Sequence, residues 1–128
     1  GRWQLLGDSP MVICDTAHNE EGVKQVMSQL LRIKYRRLHI VWGMVNDKET
    51  SQIVSLLPFE ADYYFCQPNV PRGMKSEQLF AIAQNLGLKG VCVSDVNTAV
   101  RQAKENAQED DLIFIGGSTF VVAELNDL

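Results

Sequence analysis

Five short apolar runs punctuate the chain: Met11 to Cys14, Leu38 to Trp42, Ala61 to Cys66, Val91 to Val93 and Leu112 to Ile115. Each is brief and rich in β-branched or aromatic residues, and each predicts a strand buried on both faces. Between the runs, apolar positions recur at three- and four-residue steps instead. Val23, Val26, Met27, Leu30 and Leu31 form the inward face of a first helix, with Asn19 as its cap and Glu20 and Glu21 in the first turn to complement the dipole. Ile53, Val54, Leu56 and Leu57 predict a shorter helix after Asp47, stopped by Pro58. Ser76 is placed to cap a third, with Leu79, Ile82, Ala83 and Leu86 inward and Gly87 ending it. Asp95 caps a fourth that buries Ala99, Val100, Ala103 and Ala107, and a last helix starts near Ser118 and carries Phe120 to Leu125.

Strands alternating with helices require crossover connections, which are right-handed and build a mainly parallel sheet. The expectation is a Rossmann-like three-layer α/β domain, with about six strands and helices on both faces. Trp3 to Leu6 supplies the sixth, an edge strand, separated from the next run by the turn residues Gly7-Asp8-Ser9-Pro10. One stretch stays irregular, Gln67 to Lys75 with Pro68, Pro71 and Gly73, and reads as a functional or mobile loop.

Composition narrows the picture. A length of 128 residues with 45% hydrophobic content suits one domain with one core. Twelve Lys and Arg against sixteen Asp and Glu give a net charge of -4 with no basic block, which argues against nucleic acid as a partner. No apolar stretch approaches a membrane span, and a signal-peptide pattern is missing. Cys14, Cys66 and Cys92 are odd in number and set in apolar runs, as buried thiols of a reducing compartment are, so the expected location is the cytoplasm. Neither the cysteines nor His18 and His39 offer a paired metal-ligand spacing, and no metal site is expected. A chain that opens on Gly1 is expected to be a piece of something longer.

In a parallel sheet the carboxyl ends of the strands share one edge, where ligands bind. Asp15-Thr16-Ala17-His18-Asn19 falls there, a polar cluster between a strand and a helix. Gly116-Gly117-Ser118 puts flexible backbone and a hydroxyl at a helix start, suited to an anion or simply to a tight capped turn. In Gly43-Met44-Val45-Asn46-Asp47-Lys48, Asp47 suits a ligand amine or ribose and Lys48 a phosphate, and a capped helix with a solvated lysine explains the same residues. Arg72 in the irregular loop is able to clamp a carboxylate or phosphate, or to stay solvated. Gly-x-Gly-x-x-Gly, the P-loop pattern and Gly-x-Ser-x-Gly are all missing, so no complete dinucleotide, triphosphate or hydrolase site is expected. His18 and Asp15 have no positioned nucleophile beside them. No catalytic residue is assigned to this domain. What remains is a binding domain for an anionic ligand.

Gly1-Arg2-Trp3, Asp15-Thr16-Ala17-His18-Asn19, Gly43-Met44-Val45-Asn46-Asp47-Lys48 and Gly116-Gly117-Ser118-Thr119-Phe120 occur in an order that resembles the C-terminal domain of folylpolyglutamate synthase / dihydrofolate synthase. That family is a branch of the Mur ligase superfamily, and the resemblance covers residues 1–128. It implies an ATP-dependent ligase in which L-glutamate attacks an acyl phosphate of folate or dihydropteroate. It also implies that an N-terminal P-loop domain outside this chain holds ATP with Mg2+ and most of the folate, and that the present domain closes over it. Motif by motif, Arg2 and Asp15 would contact the nucleotide, and His18 and Ser118 the incoming glutamate. Asn19, Asp47, Lys48 and Arg72 are candidates for the interdomain site. The chain departs from the family pattern at Thr16, where Gly is usual, at Glu20, where Pro is usual, and at Phe120. Thr16 disfavours positive φ, so a turn built differently is expected there. Two other readings remain: a stand-alone ligand-binding or regulatory module of receiver type, and the equivalent domain of another Mur-type ligase such as one acting on peptidoglycan precursors. Gly116-Gly117-Ser118 stands where a receiver would want a lysine, and the Asp-x-Ala-His-Asn turn is not expected in the peptidoglycan branch.

Overall fold

The computed structural model describes residues 3–126. Strands β1 (Gln4–Asp8), β2 (Met11–Cys14), β3 (Leu38–Trp42), β4 (Asp62–Phe65), β5 (Gly90–Cys92) and β6 (Leu112–Gly116) form one sheet in the order β1-β2-β6-β3-β4-β5. Only β1 runs antiparallel. The expected Rossmann-like sheet of six strands is therefore the one observed. Five helices lie among the described residues: α1 (Glu20–Leu30), α2 (Thr50–Val54), α3 (Ser76–Asn85), α4 (Val96–Asn106) and α5 (Thr119–Ala123).

The alternation of side chains along each strand separates two cores. Ile13, Ile40, Trp42, Tyr63, Phe65 and Phe114 meet α1, α2 and α3 on one face. Val12, Cys14, Val41, Tyr64, Ile113 and Ile115 meet α4 and α5 on the other. The central strands β3 and β6 are buried at every position, which is why their sequences show no polar alternation. Asn19 and Asp95 cap α1 and α4 as expected, through bonds from Gly22 N at 2.8 Å and Thr98 N at 2.9 Å.

Several local expectations need correction. Val91 to Cys92 is an exposed edge strand, because β5 pairs only with β4. Cys92 is accordingly exposed, whereas Cys14 and Cys66 are buried. Leu31 lies beyond the end of α1 as its C-cap and is exposed. Strand β1 continues through Gly7 and Asp8, with a register irregularity between Leu5 and Gly7, so the turn before β2 is only Ser9-Pro10. Helix α2 stops at Val54, before Pro58, and tightens through bonds from Leu56 N to Ile53 O and Leu57 N to Val54 O. Ser76 is the first residue of α3, not its side-chain cap, and its N–H is satisfied from afar by Gln67 Oε1 at 3.2 Å. Helix α5 ends at Ala123, short of Leu125, and Phe120 points partly to solvent.

Candidate functional site

The strand order places β6 between β2 and β3, so the turns that follow these three strands converge at the carboxyl edge. The backbone ties them: Asp15 N donates to Ile115 O at 3.2 Å, and Gly43 N to Gly116 O at 3.2 Å. Asp15 is 4% exposed, and its Oδ1 accepts the N–H of Ala17 at 2.8 Å. This Asx turn shapes the loop without left-handed backbone, since among the described residues only glycines have positive φ. Thr16, which disfavours positive φ, therefore sits in a turn that does not ask for it. Cys14 beside it has its thiol pKa raised, first by burial and then by the Asp15 charge.

His18 and Asn19 project outward from the same turn. The His18 ring lies 3.3 Å from Thr16 O through Nδ1 and is exposed. Across the edge, Gly117 takes φ +100°, and a side chain there would collide with the carbonyl of Gly43 and with the Trp42 ring at 2.9 Å. That close approach carries Ser118 into the interior at 2% exposure, where its hydroxyl oxygen accepts from Phe120 N at 3.0 Å and starts α5. Accepting uses a lone pair and leaves the hydroxyl proton able to donate.

The third wall combines two loops that looked separate in sequence. Asn46 N donates to Arg72 O at 2.8 Å, Met74 N to Met44 O at 2.8 Å, and Val45 and Gly73 form an antiparallel bridge. Far from being loose, the stretch Gln67 to Lys75 is pinned to the turn after β3. Asp47 Oδ1 accepts from Glu49 N at 2.8 Å, while Lys48 and Arg72 are exposed and make no ion pair among the described residues. The structure therefore groups Asp15, His18, Asn19, Asp47, Lys48, Arg72 and Ser118 on one edge. Arg2 lies outside the described residues.

Two features at this edge go beyond the turns read from the sequence, which included Gln67 to Lys75 and Ser94 to Asp95 but not Glu124. Gln67, Asn69, Ser94, Asp95 and Glu124 line a cleft of about 250 Å3, drawn from segments far apart in the chain. Trp42 is buried with an Nε1 that has no hydrogen-bond partner among the described residues. The apolar character of Trp42 predicted its burial but not the unpaired donor.

A sequence model of the family described as "Mur ligase, glutamate ligase domain" matches residues 1–119. The chain belongs to this family. A protein of Haloferax volcanii described as a "probable bifunctional folylpolyglutamate synthase/dihydropteroate synthase" is 34% identical over 97% of the chain, which spans 15% of that relative. Among solved structures, Escherichia coli FolC in complex with DHPP and ADP superimposes with a TM-score of 0.86 at 30% identity, over 96% of this chain and 29% of that one. A bifunctional folylpolyglutamate synthase/dihydrofolate synthase with Mn, AMPPNP and L-glutamate bound matches with a TM-score of 0.82 at 28% identity, over 96% of this chain and 30% of that one. This Mur ligase domain thus spans less than a third of the proteins it resembles. Among its described residues, no group of three or more His, Cys, Asp or Glu is arranged to hold a metal ion, and no helix is long and apolar enough to cross a membrane.

Proposed function

We propose that this chain is the C-terminal domain of an ATP-dependent ligase that joins L-glutamate to the carboxylate of folate or dihydropteroate through an acyl phosphate. In this reading an N-terminal P-loop domain of the same polypeptide binds ATP, Mg2+ and most of the folate, in the cytoplasm. The present domain closes over it and contributes nucleotide and glutamate contacts. The observation that carries the reading is the convergence of Asp15, Ser118 and the two pinned loops on one edge of a sheet matching ligases solved with ADP and with L-glutamate.

Each side chain has work its position suits. Asp15 has one oxygen fixed by Ala17 N–H, which orients the other to accept from ribose hydroxyls, and Arg2 would balance phosphate charge. His18 at the rim and the Ser118 hydroxyl at the start of α5 suit a carboxylate of glutamate, holding its amine in line for attack. Lys48 and Arg72, exposed and without ion pairs among the described residues, with Asp47 and Asn19 at the same edge, would face the domain that must close.

The test is kinetic and uses the full-length protein. Asp15→Ala is expected to raise the KM for ATP about tenfold or more, the loss of one hydrogen bond to a charged group. Ser118→Ala is expected to act mainly on the glutamate KM. The opposite pattern, with Asp15→Ala acting on glutamate and Ser118→Ala on ATP, would overturn both roles. Residues 1–128 alone are expected to show no glutamate-dependent ATP turnover, and robust turnover would sink the division of labour between domains.

A further inference from the structure

At the amino ends of the strands, about 15 Å of chain from the Asp15 turn at the usual rise per strand residue, lies a cavity of about 470 Å3. Its lining includes Arg36, Arg37, Lys89 and Asp62, with Tyr64 and Asn106. We propose that this cavity binds a small oxyanion and that His39 links its affinity to pH.

The lining carries Arg36, Arg37 and Lys89, of which the two arginines are paired with carboxylates and Lys89 makes no ion pair among the described residues. Arg37 grips Asp62 through two bonds, of 2.8 and 3.1 Å, and Arg36 reaches Asp111 behind the cavity floor. Asp110 touches Arg36 at 3.7 Å from outside the cavity. Lys89 is exposed at the mouth. A volume near 470 Å3 lies within the range of small-molecule sites, and a wall holding two guanidinium groups and the Lys89 ammonium suits an anion.

The floor supplies the link to pH. Asp111 is 2% exposed, and its Oδ2 meets Gln108 N, His39 Nε2 and Arg36, each at 2.9 Å. An ionised carboxylate only accepts, so His39 Nε2 carries a proton. While His39 is neutral, its Nδ1 must accept, and the Tyr64 hydroxyl 3.0 Å away donates to it while accepting from Asn106 Nδ2 at 3.2 Å. When His39 gains its second proton, Nδ1 becomes a donor to the Tyr64 oxygen. The tyrosine O–H is then released and turns toward the cavity it lines. One proton thus adds a charge beneath the site and a donor within it. The charged groups facing His39 are Asp111, Asp62 at 4.0 Å, and the Arg36 and Arg37 that pair with them.

Calorimetric titration of the chain with sulfate and, separately, acetate, at constant ionic strength, tests this at about pH 6 and about pH 8. Saturable binding at least about threefold tighter at the lower pH is expected, with the His39 ring signal in NMR shifting on anion addition. Preference for sulfate would identify a phosphoryl-like ligand, and preference for acetate a carboxylate. Lys89→Gln, at an exposed position, should weaken binding at both pH values. Tyr64→Phe keeps the ring and removes the hydroxyl, so it should reduce the pH dependence, and His39→Gln should abolish it. No saturation by either anion below about 50 mM, or an undiminished pH dependence in His39→Gln, would overturn the proposal.

Discussion

Single atoms decide much at the carboxyl edge. Asp15 gives one oxygen to its own turn, so Asp15→Asn keeps an acceptor for Ala17 N–H and is expected to fold normally while losing the charge offered to a ligand. Gly117 is constrained harder. With φ +100° and the Gly43 carbonyl against its missing side chain, Gly117→Ala must strain the backbone and push two strands apart. A loss of about 2 kcal/mol or more is expected in urea unfolding, and a variant as stable as the parent would contradict the geometry. Asn19→Ala removes the Gly22 cap and should lower stability by about 1 kcal/mol in the same assay, an effect to subtract before any role between domains is assigned.

At the scale of elements, sequence periodicity located the strands and helices because each buries a continuous face, and it failed where the answer lay in a distant neighbour. Val91 to Val93 resembles Leu38 to Trp42 in composition, yet one lies on the sheet edge and the other at its centre, a difference set by strand order. Ser76 carried the local signal of a cap, but the bond comes from Gln67, nine residues away. The candidate site was readable as separate turns, since carboxyl ends of parallel strands must share an edge. The bridge between Val45 and Gly73 was not, because prolines mark irregular backbone without saying what holds it. Gly73 itself permits that bridge, as a side chain there would strike the carbonyl of Pro68. Gly73→Ala is therefore expected to loosen Arg72 and the Asn46 amide together, seen as faster hydrogen exchange at Asn46 and Met74 with protection of β3 unchanged.

For the whole molecule, carboxylates held by hydrogen bonds and ion pairs, Asp62 and Asp111 at the amino edge and Asp95 at the carboxyl edge, set the response to acid. Burial pushes the Asp111 carboxyl upward, but bonds from Gln108 N, His39 and Arg36 outweigh it and hold the group at about 2. Asp62 is lowered chiefly by its bond from Arg37, and Asp95 by the Thr98 amide it caps. Carboxyls held below their unfolded values add stability that is complete above about pH 4 and disappears as pH falls toward about 2. Asp111 alone should account for about 2 kcal/mol of that loss. Asp111→Asn should be less stable at neutral pH and show a shallower acid decline, and a parent whose stability stays flat between these pH values would refute the link. Strand order also governs when the fold can form. Strand β6, the last along the described chain, sits between β2 and β3, and until Leu112–Gly116 arrives β1 and β2 are not paired with the three strands on the far side. A nascent chain therefore carries two half-sheets with open facing edges until β6 leaves the ribosome, which makes that interval one of high exposure to misassociation.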